Sequence, residues 1–488
     1  MFYTSTRNKN LKVTGAEAIL KGLSDEGGLF VPTTMPTLDL SSLIDAPLSY
    51  RNVAYEVLKL FLTDYTEEEL RYCVDNAYDE KFDVPDKVVM KETKGDVYFL
   101  ELFHGKTIAF KDMALSILPY LMTTAAKKCD LKEKIVILTA TSGDTGKAAL
   151  EGFLDVPGTG ITVFYPYGGV SKVQELQMVT TKGSNTKVVA IKGNFDDAQT
   201  GVKNIFNDSA LKQEMKEKGF VFSSANSINI GRLLPQIAYY VYSYLYLVKN
   251  KGLKAGESIN VVVPTGNFGN ILAAYFAKRM GLPVDKLVCA SNKNRVLTDF
   301  FEEGIYNRNR DFYLTNSPSM DILISSNLER LLYFAAGESD EKVNELMKSL
   351  KETGKYELDE KMQNFMSDFI AGSADEEETL AAIKNVYETE DYVIDTHTAV
   401  GRAVLSKLEG RLEKKPVVIA STASPYKFAG AVIKAIAPEY NELTDFEKLD
   451  KLEILSKVEK PLAVKEIINA EIRHKTVCEI SEMKDVIL

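Results

Sequence analysis

The sequence is poor in the residues that build metal sites and disulfide frameworks. Its 488 residues include no tryptophan, three histidines and four cysteines. Cys73, Cys129, Cys289 and Cys478 are far apart and form no CxxC pair, and the histidines form no HExxH motif. We therefore expect neither a structural zinc site nor a histidine-based catalytic metal. A few dispersed cysteines are typical of a reduced, cytoplasmic protein.

Long apolar runs are also missing. No stretch approaches the roughly 20 apolar residues of a membrane span, and the N-terminal segment MFYTSTRNKNLKVTG contains no signal-peptide core. The net charge of −10 argues against nucleic acid as the main partner, because duplex binding needs a clustered cationic face. We expect a cytoplasmic globular protein without a membrane or nucleic-acid partner, and the sequence leaves monomer and homodimer open.

Short apolar runs alternate with helical segments from about residue 130 onward. The runs are KIVILTA (134–140), ITVFYP (161–166), TKVVAIKG (186–193), FVFSSA (220–225), INVVVP (259–264), KLVCAS (286–291) and PVVIAS (416–421). Strands buried on both faces have such continuous runs, and the helices between them provide right-handed crossovers. The sequence therefore predicts a doubly wound α/β fold with parallel sheets.

Composition divides the remaining chain into segments. Residues 1–95 combine strand-like, helical and turn patterns and are predicted to form an N-terminal unit, followed by a catalytic region at 96–440. Residues 326–390 are rich in charged helix formers and show no strand pattern, which predicts a helical insertion with a solvated face. The amphipathic tail, 441–488, is predicted to be helical and to dock onto the rest.

The strand at 259–264 is followed by a loop suited to a phosphate. Gly266 and Gly269 allow the backbone to approach an anion, and the next helix begins with unpaired N–H groups and a partial positive charge. A second loop, TSGDTG (141–146), follows another strand and could hold a carboxylate. The alternatives are a simple glycine turn for the first loop and helix capping for the second.

A lysine and a hydroxyl residue complete the candidate site. Lys111 follows apolar and aromatic residues in ELFHGKTIAFKD, where a neutral, nucleophilic amine would be accessible. An exposed lysine of no function is the alternative. Thr422 follows the strand at 416–421, either beside a cofactor ring or in a plain turn. Ligands of open α/β sheets bind at such strand ends.

Six segments together resemble the threonine synthase family, which belongs to the tryptophan-synthase-β-like, fold-type II pyridoxal-phosphate enzymes. They are GLSDEGGLFVP, ELFHGKTIAFKD, TATSGDTG, SSANSINIGR, VPTGNFGN and DTHTAVG, in the family's order and approximate spacing. The resemblance implies two α/β domains, the smaller at about 115–250 and inserted in the larger. It also implies pyridoxal 5'-phosphate as cofactor and conversion of O-phospho-L-homoserine and water to L-threonine and phosphate, the last step of threonine biosynthesis.

The resemblance also implies a role for each candidate residue. Lys111 would hold the cofactor covalently, and its amine, once freed by the substrate, would move the α- and β-protons. Thr422 would face the pyridine nitrogen, where a neutral hydroxyl suits elimination and replacement chemistry. The cofactor phosphate would bind the loop of Gly266, Asn267, Phe268, Gly269 and Asn270. The substrate carboxylate would bind Ser142, Asp144 and Thr145, and its phosphate Asn226, Ser227 and Arg232.

The sequence departs from the family pattern at a few positions without losing any of these residues. Lys106 stands where the family usually has proline, and further differences occur at Ser424, Tyr426 and 395–396. His104 and His397 are interpreted as structural, hydrogen-bonding residues near the site.

Other functions remain open at this point. A threonine dehydratase or a cysteine-synthase-like enzyme of the same fold would lack a need for the phosphate-binding Arg232. A noncatalytic threonine-synthase-like protein would bind cofactor or phosphorylated metabolites and regulate a partner, although the presence of Lys111 argues against it. A nucleotide-binding module is disfavoured, since neither GxGxxG after a strand nor GxxxxGK[ST] is present.

Overall fold

Each predicted apolar run forms a strand in the computed structural model, which describes residues 1–141, 143–170 and 172–487. The chain begins with a small antiparallel sheet, in the order β2-β1-β3, packed with helices. Helices α1 and α4 begin with capping boxes, in which Thr14 pairs with Glu17 and Thr66 with Glu69. The elements of this N-terminal unit are β1 (Tyr3–Ser5), β2 (Asn8–Val13), α1 (Gly15–Lys21), β3 (Phe30–Pro32), α2 (Leu40–Asp45), α3 (Tyr50–Phe61) and α4 (Glu67–Ala77).

The next segment enters the larger sheet and then leaves it. Strands β4 (Val89–Glu92) and β5 (Val97–Glu101) pair antiparallel, and helices α5 (Asp112–Leu115) and α6 (Leu118–Lys128) follow. A smaller parallel sheet then forms from β6 (Lys134–Ala140), α7 (Asp144–Phe153), β7 (Thr159–Pro166), α8 (Lys172–Val179), β8 (Thr186–Ile191), α9 (Phe195–Asn207), α10 (Ser209–Glu217) and β9 (Phe220–Ser223).

The long helix α11 (Ile230–Asn250) returns the chain to the larger sheet, whose order is β14-β11-β10-β15-β5-β4. Its ladders are parallel except at β4, because β4 and β5 form a hairpin. The elements are β10 (Ile259–Pro264), α12 (Gly269–Arg279), β11 (Val284–Ser291), α13 (Val296–Glu303), β12 (Ile305–Asn307), α14 (Leu328–Ala335), α15 (Asp340–Thr353), β13 (Lys355–Glu357), α16 (Glu360–Phe365), β14 (Phe369–Ser373), α17 (Glu376–Glu390), α18 (Thr396–Lys407), β15 (Val417–Ser421) and α19 (Ala429–Ile436).

The segment 326–390 differs from its prediction as a helical insertion without strands. It contains β13 and β14, and β14 extends the larger sheet by pairing in parallel with β11. The charged helices α15 and α17 dominate the composition of this segment. The short run Phe369–Ser373 therefore gives no recognisable strand pattern in the sequence. An edge strand has only one neighbouring strand, and its apolar signal is correspondingly weak.

The tail is likewise not helical throughout. After α20 (Asp445–Ser456) and α21 (Leu462–Lys465), strand β16 (Thr476–Cys478) pairs in parallel with β8 of the smaller sheet. The tail therefore contacts both parts of the molecule, since α20 packs on α19. Lys106, the departure from the family pattern, lies 3.7 Å from Glu466 of the tail in an ion pair.

Among the described residues, no helix has the length and apolar character needed to cross a membrane.

The approach of α7 to α5 requires glycine. A Cβ built on Gly152 would lie 2.1 Å from the carbonyl oxygen of Leu115, the last residue of α5. Because α5 starts directly after Lys111, this contact fixes the smaller sheet's first helix against the site segment.

We expect Gly152→Ala to destabilise the fold by about 1–3 kcal/mol, because the added methyl group must displace backbone. Gly430→Ala is the matched control, since a Cβ there meets nothing within 4 Å; it should be neutral or stabilising by up to about 1 kcal/mol. Thermal and urea unfolding of both variants measure the difference. Equal stability of the two variants would contradict the close contact.

Candidate active site

Lys111 lies at the end of a loop that its neighbour Asp112 holds closed. The Asp112 carboxylate accepts hydrogen bonds from the backbone N–H of Thr107 at 2.8 Å and from its hydroxyl at 2.7 Å. The N–H of Phe110 donates to the carbonyl of Thr422 at 2.8 Å. The end of β15 therefore lies beside the residue before Lys111, which brings the predicted lysine and the predicted hydroxyl residue together.

The amine of Lys111 is in buried surroundings, with 13% of the side chain exposed. Its Nζ donates to the hydroxyl of Ser319 at 3.3 Å and lies 3.7 Å from Oδ2 of Asp144. Burial lowers the pKa of Lys111; Asp144 opposes this shift, and the charges of Lys427 and Arg232 add to it. The neutral amine, which can attack an aldehyde or remove a proton, is thereby made more accessible.

Asp144 is the first residue of α7, and its buried carboxylate faces two lysines. Its Oδ1 lies 3.3 Å from Nζ of Lys427, and its Oδ2 accepts the hydroxyl of Ser319 at 3.0 Å. The amide of Gln174 donates to Oδ1 at 2.9 Å. Burial alone would raise the pKa of Asp144, but Lys427 and then Lys111 lower it well below its usual range. The carboxylate therefore stays ionised beside the amine.

The predicted phosphate loop connects β10 to α12, and its backbone includes a left-handed conformation that residues other than glycine rarely adopt. Phe268 has φ 63° and ψ 1° immediately before α12, and its buried ring stacks on Phe301. A Cβ on Gly266 would lie 2.7 Å from the carbonyl oxygen of Ser319, the residue that contacts Lys111. The loop and the lysine therefore share a neighbour, and the start of α12 supplies N–H groups for an anion.

Two buried nitrogen atoms nearby have no hydrogen-bond partner among the described residues. They are Nδ2 of Asn270 and Nε of Arg232. The carbonyl oxygen of the Asn270 side chain accepts the hydroxyls of Tyr239 at 2.7 Å and Tyr240 at 2.5 Å, which fixes the amide's orientation. Burial lowers the pKa of Arg232 to about 10. Unpaired buried donors are costly, and an anionic ligand would satisfy both.

The predicted substrate-phosphate residues lie at the start of α11. Arg232, in the first turn of this helix, donates from its guanidinium to the carbonyl of Ala225 at 2.9 Å. Asn226 and Ser227 form the turn between these two residues, and the Ser227 hydroxyl donates to the Asn226 side chain at 3.3 Å. The turn is partly open to solvent, and Arg232 is buried.

The predicted carboxylate residues are only partly described. Thr145 lies in the first turn of α7, directly after Asp144, and Ser142 lies outside the described residues. Gly143 has φ 130°, and a Cβ there would lie 2.5 Å from the amide of Gln174, so α8 covers this loop closely. The carboxylate of Asp144 is directed at the two lysines, and binding of a substrate carboxylate by this loop stays a prediction for its hydroxyl and N–H groups.

Three protein-family models match this chain and together cover most of it. The family described as threonine synthase N terminus matches residues 2–78, that of pyridoxal-phosphate dependent enzymes matches 87–423, and threonine synthase, C-terminal, matches 398–477. Threonine synthase of Saccharomyces cerevisiae is 36% identical, covering 99% of this chain and 98% of that protein. The chain belongs to the threonine synthase family.

Solved structures of this family have the same fold. Pyridoxal-phosphate-bound threonine synthase from Brucella melitensis has a TM-score of 0.89 at 35% identity, covering 100% of this chain and 98% of the other. The Escherichia coli threonine synthase has a TM-score of 0.74 at 27% identity, covering 100% and 99%. The prediction of a fold-type II enzyme with parallel sheets is confirmed.

The family also includes longer proteins. Human threonine synthase-like 1 is 39% identical over 88% of this chain, and the chain spans 58% of that protein's length.

Three residues of the site in this member of the threonine synthase family escaped sequence reasoning: Ser319, Lys427 and Gln174. Ser319 lies in the loop SPSMD, a Ser/Pro segment that resembles any turn. Lys427 follows the loop after β15. It could have been predicted from the sequence, because it is a lysine five residues beyond Thr422, at the sheet edge where the site is expected. Gln174 lies on α8, where nothing in the local pattern separates it from a surface residue.

The two histidines near the site are hydrogen-bonded as predicted. His397 bonds to Asp395 through Nδ1 at 2.9 Å and accepts the N–H of Ser319 through Nε2 at 3.2 Å. His104 lies 2.8 Å from both Asp83 and Glu101. Burial would lower the pKa of His104, but its hydrogen bonds to the two carboxylates raise it to about 9.

The raised pKa of His104 makes stability depend on pH. The folded-state pKa exceeds the ordinary value of 6.5, so the ion pairs contribute fully below about pH 6.5 and are lost as pH rises through about 9. We expect His104→Gln to lower the melting temperature at pH 6–7, and the gap to the unmodified protein to narrow by about pH 10. A gap that does not change with pH in thermal unfolding would refute the charged state.

Proposed function

We propose that the protein is a threonine synthase, which eliminates phosphate from O-phospho-L-homoserine and adds water to give L-threonine. The observation that carries this proposal is the buried amine of Lys111, 3.7 Å from the Asp144 carboxylate, next to a glycine loop and the buried cation Arg232. Membership of the threonine synthase family supports it over most of the chain.

The residues fit pyridoxal 5'-phosphate. An amine kept accessible in its neutral form can bind the aldehyde, and the N-terminus of α12 with the unpaired Nδ2 of Asn270 offers donors for the cofactor phosphate. Thr422, whose carbonyl accepts the N–H of Phe110, would present a neutral side chain to the ring. When bound, this cofactor withdraws electrons from the substrate's α-carbon, which makes its proton removable.

The protein's own residues would bind the substrate and move its protons. Arg232 would bind the phosphate, with Asn226 and Ser227 at the same turn. The amine of Lys111 would take the protons from Cα and Cβ as phosphate leaves Cγ, and protons returned to Cγ and, after water addition at Cβ, to Cα would complete threonine. Asp144 and Ser319 would hold that amine in place between proton transfers, since both contact it. The released phosphate would assist the addition of water at Cβ by proton transfer.

The related longer proteins are named threonine synthase-like, which favours testing a second candidate: elimination of phosphate without addition of water at Cβ. Water would then hydrolyse the released enamine at its C–N bond, giving 2-oxobutanoate and ammonia instead of threonine. Product analysis of the purified protein with O-phospho-L-homoserine distinguishes the two reactions, and absence of both products would reject the proposed function.

We further propose a cytoplasmic enzyme that acts as a monomer or homodimer. The four cysteines are free, which suits a reducing compartment. Light scattering of the purified protein would test the assembly.

Lys111→Ala is expected to abolish covalent attachment of the cofactor, because no other amine occupies its position. Borohydride reduction of the unmodified protein with pyridoxal phosphate should place the label on the peptide containing Lys111. Lys427→Ala is the informative control, since its amine lies near the same carboxylate. Labelling of Lys427 instead of Lys111 would overturn the assignment.

Arg232→Ala is expected to raise KM for O-phospho-L-homoserine by about 100-fold, because the phosphate loses a charge-assisted hydrogen bond in buried surroundings. Steady-state kinetics measure the change. Arg71→Ala, at an exposed arginine of α4, controls for net charge and should leave KM unaltered. Unaltered KM in Arg232→Ala would favour a substrate without phosphate.

A further inference from the structure

The segment 325–330, at the start of α14, contains the largest fully buried charged side chain among the described residues, Arg330. Its guanidinium is 0% exposed and directs its donors at oxygens without formal charge. Nε donates to the carbonyl of Phe30 at 2.9 Å, Nη2 to the carbonyl of Ile228 at 2.6 Å, and Nη1 to the side-chain oxygen of Asn327. Burying a cation among neutral acceptors is unfavourable for stability alone.

Each of these acceptors belongs to a different functional part. Phe30 lies in β3 of the N-terminal sheet, and Ile228 lies in the turn between Asn226 and Arg232. Asn327 contacts the glycine loop directly. Its backbone N–H and its side-chain amide both donate to the carbonyl of Asn267, at 3.1 and 2.9 Å. One guanidinium therefore connects the two segments to which the phosphates of cofactor and substrate are assigned.

The hydrogen bonds from this segment also set the direction of the loop's donors. The hydroxyl of Ser325 donates to the carbonyl of Gly266 at 2.7 Å, and the side-chain amide of Asn327 donates to the carbonyl of Asn267. In a trans peptide the carbonyl and the next N–H point in opposite directions. With both carbonyls turned toward Ser325 and Asn327, the N–H groups of Asn267 and Phe268 point to the opposite side, where an anion can be bound.

We infer that Arg330 is a positioning residue that couples the cofactor-phosphate loop, through Asn327, to the substrate-phosphate turn, through Ile228. The inference rests on the proposed function for the identity of the two phosphates. Arg330 touches neither ligand, and it acts by holding two backbone segments at a fixed separation. The planar, forked guanidinium suits this role because it reaches three acceptors at once, which a lysine ammonium cannot do in the same geometry.

The neighbouring Glu329 provides a matched control. It is also buried in α14 and also bonds to the N-terminal sheet, since its carboxylate accepts from Thr6 at 2.6 Å and from Arg7 at 2.9 and 2.8 Å. Among the described residues, its side chain forms hydrogen bonds only with Thr6 and Arg7, and neither lies in a phosphate segment. Loss of Glu329 therefore weakens docking of the N-terminal unit and leaves the coupling through Asn327 and Ile228 in place.

The test compares Arg330→Lys, Arg330→Met and Glu329→Gln as full-length holoenzymes. We expect both Arg330 variants to raise the dissociation constant of pyridoxal phosphate and the KM for O-phospho-L-homoserine by about tenfold or more, with a smaller change in kcat. Glu329→Gln should lower thermal stability and alter both constants less than about threefold. Arg330 variants that lose thermal stability but keep both constants, or a Glu329→Gln that alters them equally, would overturn the inference.

A second variant keeps the test decisive if the Arg330 variants fail to fold. Asn327→Ala removes the side-chain bond to Asn267 and the acceptor of Nη1 of Arg330, keeps the backbone N–H bond to Asn267, and leaves Arg330 bonded to Ile228. It should therefore weaken cofactor binding by about tenfold and alter KM much less. Equal changes in both constants would overturn the proposed division of roles. Release of pyridoxal phosphate and binding of inorganic phosphate, both measured directly, need no turnover of O-phospho-L-homoserine. If the unmodified protein fails to turn that substrate over, the proposed function fails, and these two measurements still judge Arg330.

Discussion

Two lysines, Lys111 and Lys427, approach one buried carboxylate, that of Asp144, from the side of the larger sheet. Asp144 begins the first helix of the smaller sheet, so this charge cluster joins the two α/β parts of the chain. In buried surroundings such interactions are strong, and an ion left without its partner is costly. Lys427 is the first of the two charges that hold the pKa of Asp144 low, so the carboxylate does not depend on Lys111 alone to stay ionised.

The site is cationic although the chain carries a net charge of −10. Arg232 and Arg330 are buried near its segments, and the side chains of Lys111 and Lys427 are largely buried there. Acidic residues, in contrast, are concentrated on helices such as α15 and α17. The composition of the chain therefore describes its solvated surface. The proposed preference for phosphorylated ligands rests on a few buried cations and on helix N-termini.

The N-terminal unit and α14 are connected by hydrogen bonds to the two segments proposed to bind phosphate. Arg330 donates to β3, to the turn before α11 and to Asn327, and Asn327 in turn donates to the glycine loop before α12. These segments are distant in sequence. Their relative position is fixed by hydrogen bonds from Arg330 and Asn327 to their backbone carbonyl groups. A site assembled in this way combines loops of different origin with rigid spacing, which suits a substrate and a cofactor that each carry a phosphate.

The sequence by itself determined the parallel strands, because continuous apolar runs such as 134–140 and 259–264 report burial on both faces. It also predicted Lys111, the loop 266–270 and Arg232 as site residues, since their motifs are local and match the family in order. Only the tertiary structure decided that Ser319, Lys427 and Arg330 join them, that β14 and β16 extend the two sheets, and that Asp144 faces lysines. Those facts depend on contacts between distant segments, and local patterns carry no information about which partner a side chain meets.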